Sequence, residues 1–170
     1  MVLTFRKGFS ALLLTSFLVV SGCSGTASLV EYNNKLVGYQ QEILKLGTDL
    51  GSGGLGEIGT ESFNVDLAVA GVDELTGKIQ KMYDEFKTLS VPQGGEKMGE
   101  VMKRYFELEL EGGKLLKDGL LSLKGKETDL TVLSAFMEKA TDFSSKEQAV
   151  LMEFGAAQQE MSSKYGIKIQ

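Results

Sequence analysis

The chain of 170 residues predicts an all-α fold, an antiparallel up-down-up-down four-helix bundle. Three observations predict it. Apolar residues recur at alternating spacings of three and four along four long segments, the pattern of one buried stripe per helix. Proline occurs once, at Pro92, so little interrupts helix formation. Glycine-rich breaks separate the segments, and turns this short make successive helices antiparallel.

The first helix carries the stripe Leu29, Tyr32, Leu36, Tyr39, Ile43, Leu46 and Leu50, widened on one side by Val30, Val37 and Leu44. The run Gly51-Ser52-Gly53-Gly54-Leu55-Gly56 ends it and reads as a flexible loop. The second helix starts near Ser62 or Asn64, both good N-caps. Its stripe is Ala68, Val72, Leu75, Ile79, Met82, Phe86 and Leu89, and Ser90–Gly95 forms the turn around Pro92. The third helix spans Glu96 to Leu123. Gly112, Gly113 and Gly119 lie inside it, where either a kink or a close helix approach is expected. Leu123–Glu127 forms the next turn, and the fourth helix begins near Thr128 or Asp129. Its stripe is Phe136, Ala140, Phe143, Val150, Phe154, Ala157 and Met161. Glu147 interrupts that stripe, and Ser144 with Glu147 has capping-box spacing. A break between Asp142 and Ser145, with a restart, is therefore left open.

A different kind of segment precedes the bundle. Met1–Lys7 is short and basic, and Gly8–Val20 is apolar. Thirteen helical residues span about 20 Å, short of a ~30 Å hydrocarbon core. A basic end, a short apolar middle and the small-residue exit Val20-Ser21-Gly22-Cys23 are the parts of a secretory signal. Those last four residues resemble the lipobox of bacterial lipoproteins: an aliphatic residue, Ala or Ser, Gly or Ala, then Cys. Val stands where Leu is commoner. The resemblance covers only the first 23 residues. It implies that Val20, Ser21 and Gly22 are read by a dedicated signal peptidase, that residues 1–22 are removed, and that the Cys23 thiol carries a diacylglyceryl group. It further implies N-acylation of Cys23, with palmitate-type chains, in many bacteria. The competing readings are an ordinary thiol at Cys23 after conventional cleavage, or a retained membrane anchor.

This divides the chain into a cleaved signal peptide at 1–22, a lipidated tether at 23–28, and a helical bundle domain at 29–170. The tether Ser24–Ser28 reaches about 18 Å at most, which holds the bundle close to a bilayer. Ser24 rather than Asp follows Cys23; in similar lipoproteins, Asp there often marks retention at the inner membrane. The expected address is the cell envelope, the outer membrane in a Gram-negative cell. The bundle also resembles, in style alone, the small helical lipoproteins of bacterial envelopes. No motif carries that likeness, and it implies no function.

Composition narrows the chemistry. Net charge is −5, and losing Arg6 and Lys7 makes the remainder more acidic still. Such a surface opposes nucleic-acid binding, where phosphates need clustered Lys and Arg. Cys23 is the only cysteine, so no disulfide forms within one chain. Histidine is absent, which removes the imidazole of a catalytic triad, the common haem ligand and the typical zinc ligand. It also removes the Glu-x-x-His pairs of carboxylate-bridged di-metal bundles. The Gly51–Gly56 run lacks the Gly-Lys-Ser/Thr ending of a phosphate-binding loop. No cofactor and no enzymatic activity are expected.

Four further features have a bland and a sharp reading. Glu107, Glu109 and Glu111 are two apart, point about 200° apart on a helix, and read as a solvated face, with a calcium cluster as the alternative. Tyr32, Tyr39, Tyr83, Tyr105 and Tyr165 read mainly as core-edge residues whose hydroxyls reach water or a carbonyl; an exposed binding patch is the alternative. Met82, Met98, Met102, Met137, Met152 and Met161 read as core filler or as the lining of an apolar pocket. The 51–60 loop reads as a spacer or a recognition loop. The expected function is a membrane-anchored, non-enzymatic interaction module whose contacts are the bilayer, through acylated Cys23, and an envelope protein. The alternative is a carrier or sensor of a small apolar ligand held between helices, which would need a cavity of several hundred Å³.

Overall fold

The computed structural model describes residues 18–19, 24–53, 55, 57–60, 62–126 and 129–169. The lipobox residues Val20, Ser21, Gly22 and Cys23 lie outside the described residues.

Four helices build the body: α1 Ser24–Gly53, α2 Val65–Phe86, α3 Glu96–Leu123 and α4 Leu130–Tyr165. Side-chain pairs fix their directions. Lys124 meets Asp66, Lys117 meets Asp73, and Tyr83 meets Glu107, so α3 runs antiparallel to α2. Lys97 pairs with Glu160 and Arg104 with Glu153, so α4 runs antiparallel to α3. Tyr32 lies against Gly95 and Gly99, and the Tyr39 ring meets Phe106 at 5.5 Å, so α1 runs parallel to α3. The result is the up-down-up-down bundle. A two-residue antiparallel pairing is appended to it: β1 Leu18–Val19 with β2 Lys168–Ile169, in the register Leu18↔Ile169 and Val19↔Lys168.

Local chemistry sets the helix ends. Asn64 caps α2 by accepting from the Leu67 N–H at 3.0 Å. Asp129 caps α4 by accepting from the N–H groups of Thr131 and Val132. Both satisfy donors that the first helical turn leaves without intrahelical partners. Gly166 closes α4 in a left-handed conformation, φ 65°, that suits glycine. Gly94, at φ 90°, makes the turn into α3, and the Glu96 carboxylate accepts its N–H at 2.8 Å.

Two expectations change, and one point left open is resolved. Ser24–Ser28, expected as a tether, forms the first turns of α1. The helix also continues through Gly51 to Gly53, because helical hydrogen bonding there outweighs the weak propensity of glycine. Helix α4 is continuous from Leu130 to Tyr165; Asp142–Ser145 is helical, and Glu147 is a buried interior residue rather than the acid of a capping box.

The interior has two apolar clusters. One holds Leu29, Leu36, Ile43, Ile79, Met98, Met102, Phe106, Phe154 and Met161. The other, toward the opposite end, holds Leu55, Phe63, Val65, Val72, Leu120, Leu123 and Phe136. Between them α3 brings in its glycines. A Cβ on Gly112 would lie 2.2 Å from Cζ of Phe143, and one on Gly119 would lie 2.4 Å from Cδ2 of Phe136. Gly112 and Gly119 thus serve close approach of α4, with its two phenylalanine rings seated on the α3 backbone, Gly113 instead meets Thr76 of α2, and α3 runs unbroken to Leu123.

Candidate functional site

The most unusual chemistry in the described chain lies between the two clusters. On α3 the stripe reads Met98, Met102, Tyr105, Glu109, Gly112 and Leu116; on α4 it reads Phe136, Ala140, Phe143, Glu147, Val150 and Phe154. Glu109, half-buried, and Glu147, buried, therefore hold stripe positions of facing antiparallel helices. Glu147 is 8% exposed. The flanking Arg104–Glu153 and Gly112–Phe143 contacts set the register that places the two acids opposite each other across the seam.

Burial, first, and then the neighbouring Glu147 charge push the Glu109 carboxyl up to about 8. Burial likewise raises Glu147. Two desolvated carboxyls set opposite each other oppose each other's ionisation, which favours the protonated form of the pair. Tyr105, 1% exposed, packs beside the pair. Burial and the two acids hold its phenol well above its usual 10. The Tyr105 hydroxyl and Oε1 of Glu109 both lack a partner in hydrogen-bond geometry.

The solvated-face reading of Glu107, Glu109 and Glu111 thus fails for Glu109. Glu107 does face water: it accepts from the Tyr83 hydroxyl at 2.9 Å and pairs with Lys103 at 3.7 Å. Glu111 lines a pocket between α3 and α4. Reading the three acids by their mutual spacing hid the fact that only Glu109 falls in register with Met102, Tyr105 and Gly112. The stripe was the available signal, together with Glu147 interrupting its own. Among the described residues no cluster of three or more carboxylate, thiol or imidazole groups is placed to hold a metal.

A second polar pair crosses the core. Asn33 on α1 is fully buried, and its Oδ1 accepts from Nε2 of Gln158 on α4 at 2.8 Å. The tyrosines sit deeper than expected. Tyr32 and Tyr39 are buried with hydroxyls that reach neither water nor a carbonyl, while Tyr83 remains at the edge. Met98, Met102 and Met161 fill the core, whereas Met152 is exposed.

The α3–α4 pocket is lined by Leu108, Leu115 and Phe143 with Glu111, Lys139, Asp142 and Lys146, and has a volume of about 110 Å³. That is below the roughly 300–1,000 Å³ of small-molecule sites. Among the described residues no helix is long and apolar enough to cross a membrane. Comparison with protein-family models, curated proteins and solved structures finds no match to this chain.

Proposed function

We propose that the protein is a bacterial envelope lipoprotein, a non-enzymatic helical bundle held at a membrane by acylated Cys23 that presents its far end to a protein partner. The observation carrying this reading is the order of parts in the chain: basic end, short apolar middle, Val20-Ser21-Gly22-Cys23, then helix from Ser24 onward. Several acyl chains on one residue give firm anchoring that a single chain does not.

The topology supports a polarised arrangement. The α1 N-terminus shares its end of the bundle with the Pro92 turn and the C-terminus of α4. The opposite end carries the 57–60 loop, the α3–α4 turn, and the exposed side chains of Leu67, Leu121 and Leu130. In the proposed arrangement that second end faces away from the bilayer. Cleavage ahead of Cys23 removes β1 and leaves the four helices intact as sequence.

Intact-mass measurement of the product purified from its native membrane tests this. The expected species begins at Cys23 and carries the diacylglyceryl and acyl masses, and Cys23→Ala leaves an unacylated precursor. An unmodified Cys23 thiol, or a mature chain starting elsewhere, would overturn the reading. A pull-down from solubilised envelope, compared with the Cys23→Ala form, then asks for the partner.

A further inference from the structure

We propose that Glu109 and Glu147 form a proton-operated latch between α3 and α4, in which one shared proton holds the two helices together and its loss drives them apart.

The geometry gives the reason. The two acids face each other across an antiparallel seam, in the gap between the two apolar clusters. Toward the Leu123 end of α3 the seam is held by close packing, and toward the Glu96 end by the Arg104–Glu153 and Lys97–Glu160 ion pairs. Phe143 sits on the Gly112 backbone and Phe136 on Gly119. Ring-on-backbone contact of this kind is sensitive to small separations, because a gap of 0.5–1 Å forfeits about a quarter to a half of each attraction.

Among the described residues, Tyr105 from α3 and Glu147 from α4 act on Glu109, Glu109 acts on Glu147, and no titratable side chain of α1 or α2 acts on either acid. Two basic residues near in sequence are paired elsewhere, and a third lies at the α3–α4 pocket. Lys103 pairs with Glu107, Arg104 with Glu153, and Lys146 lines the α3–α4 pocket. Tyr105 is the third member of the cluster, with a buried hydroxyl that lacks a partner beside the pair. Two ionised carboxylates here would have no ion-pair partner among the described residues, so the fold relieves the charge by taking up a proton or by parting.

The sign follows from linkage. Glu109 has its folded value raised to about 8 from an ordinary 4.5, so the folded state holds a proton that the unfolded state releases. The stabilising effect is fully present below the ordinary value and is lost as pH rises through about 8. Across that window the unfolding constant grows by up to about tenfold per pH unit for one linked proton. The other raised groups, Tyr32, Tyr39, Tyr83 and Tyr105, titrate above 10 and leave the window clear.

Three measurements on the full chain test the latch. Carbon-detected carboxyl NMR follows Glu109 and Glu147 directly; at least one is expected to stay protonated at pH 7, and ordinary titration of both near 4.5 would overturn the proposal. Amide exchange, corrected for intrinsic base catalysis, is expected to rise in residues 140–150 as pH passes 8, with residues 65–86 lagging behind. Glu109→Gln with Glu147→Gln keeps shape and hydrogen bonding but removes the charge, and is expected to abolish that rise. Identical exchange profiles for the wild type and the double variant would sink the latch. If the double variant does not fold, Glu109→Gln alone serves, since the remaining acid then has an amide donor in place of a second charge.

Discussion

The side-chain amide of Gln158 on α4 donates to Oδ1 of Asn33 on α1 at 2.8 Å, and both residues are buried. This bond ties together the first and last helices of the bundle. Removing one partner leaves the other desolvated and unpaired. Asn33→Ala or Gln158→Ala is therefore expected to cost about 2 kcal/mol in urea unfolding, within the usual 1–3 for an orphaned buried group. Asn33→Leu with Gln158→Leu removes both and is expected to be nearly neutral in stability, with weaker selection of the helix register. A single-alanine cost under about 0.5 kcal/mol would mean that the bond is not worth its burial.

The glycines divide into two groups with opposite expected responses. Gly155 lies within α4 with open space around it, so Gly155→Ala is expected to stabilise by about 0.5–1 kcal/mol through helix propensity. At Gly112 the Phe143 ring occupies the place a methyl would take. Gly112→Ala is expected to lose about 1–3 kcal/mol through overpacking, more than propensity returns. Thermal melts of the two variants should move in opposite directions.

Stability should peak on the acid side of neutrality. Hydrogen bonds from lysines hold Glu74, Asp84 and Glu160 below their ordinary values, so their small contributions persist to low pH and fade as pH falls through those lowered values. The Glu109–Glu147 layer works the other way and weakens the fold as pH rises toward about 8. The melting temperature is expected to fall between about pH 5 and pH 8, at up to about 1.4 kcal/mol per unit for one linked proton. Glu109→Gln with Glu147→Gln should shift the optimum toward neutral pH and flatten that fall.

The β1–β2 pairing is expected to matter little. A chain beginning at Ser24 lacks Leu18 and Val19, which pair with Ile169 and Lys168. Cross-strand pairs contribute roughly 0.2–1 kcal/mol each. Far-ultraviolet circular dichroism of this shorter chain should show the same helicity. Loss of cooperative unfolding would show instead that the bundle depends on the leading segment.

Much of the architecture is legible in the residue order because it depends on local rules. Asn64 and Asp129 are strong caps and do cap α2 and α4. Pro92 with Gly94 and Gly95 makes a turn that helix cannot cross, so α3 starts at Glu96 as its composition suggests. The ends of α1 are harder to read. Ser24–Ser28 has no apolar stripe, and Gly51–Gly53 is a poor helix sequence, so only the continuing helix on the inner side of each explains their state. The acid pair is hidden for another reason. Glu109 and Glu147 are far apart in sequence, and each alone reads as a surface residue or a flaw in a stripe. Only superposing the two heptad registers brings them opposite each other. The glycine pockets are similar: Gly112 suggests either a kink or a close approach, and only Phe143 on the neighbouring helix decides between them.

The helical state of Ser24–Ser28 has a mechanical consequence. Thirty residues of α1 at about 1.5 Å each make a stiff rod of about 45 Å. A slack leash would let the body tumble and sample every orientation above a bilayer. In the lipoprotein arrangement proposed above, a rod that starts one residue after an acylated Cys23 would act as a mast, with rotation confined to a few bonds at its foot. Its tip is held at a near-constant height, and force applied to the tip is carried down the rod to its foot.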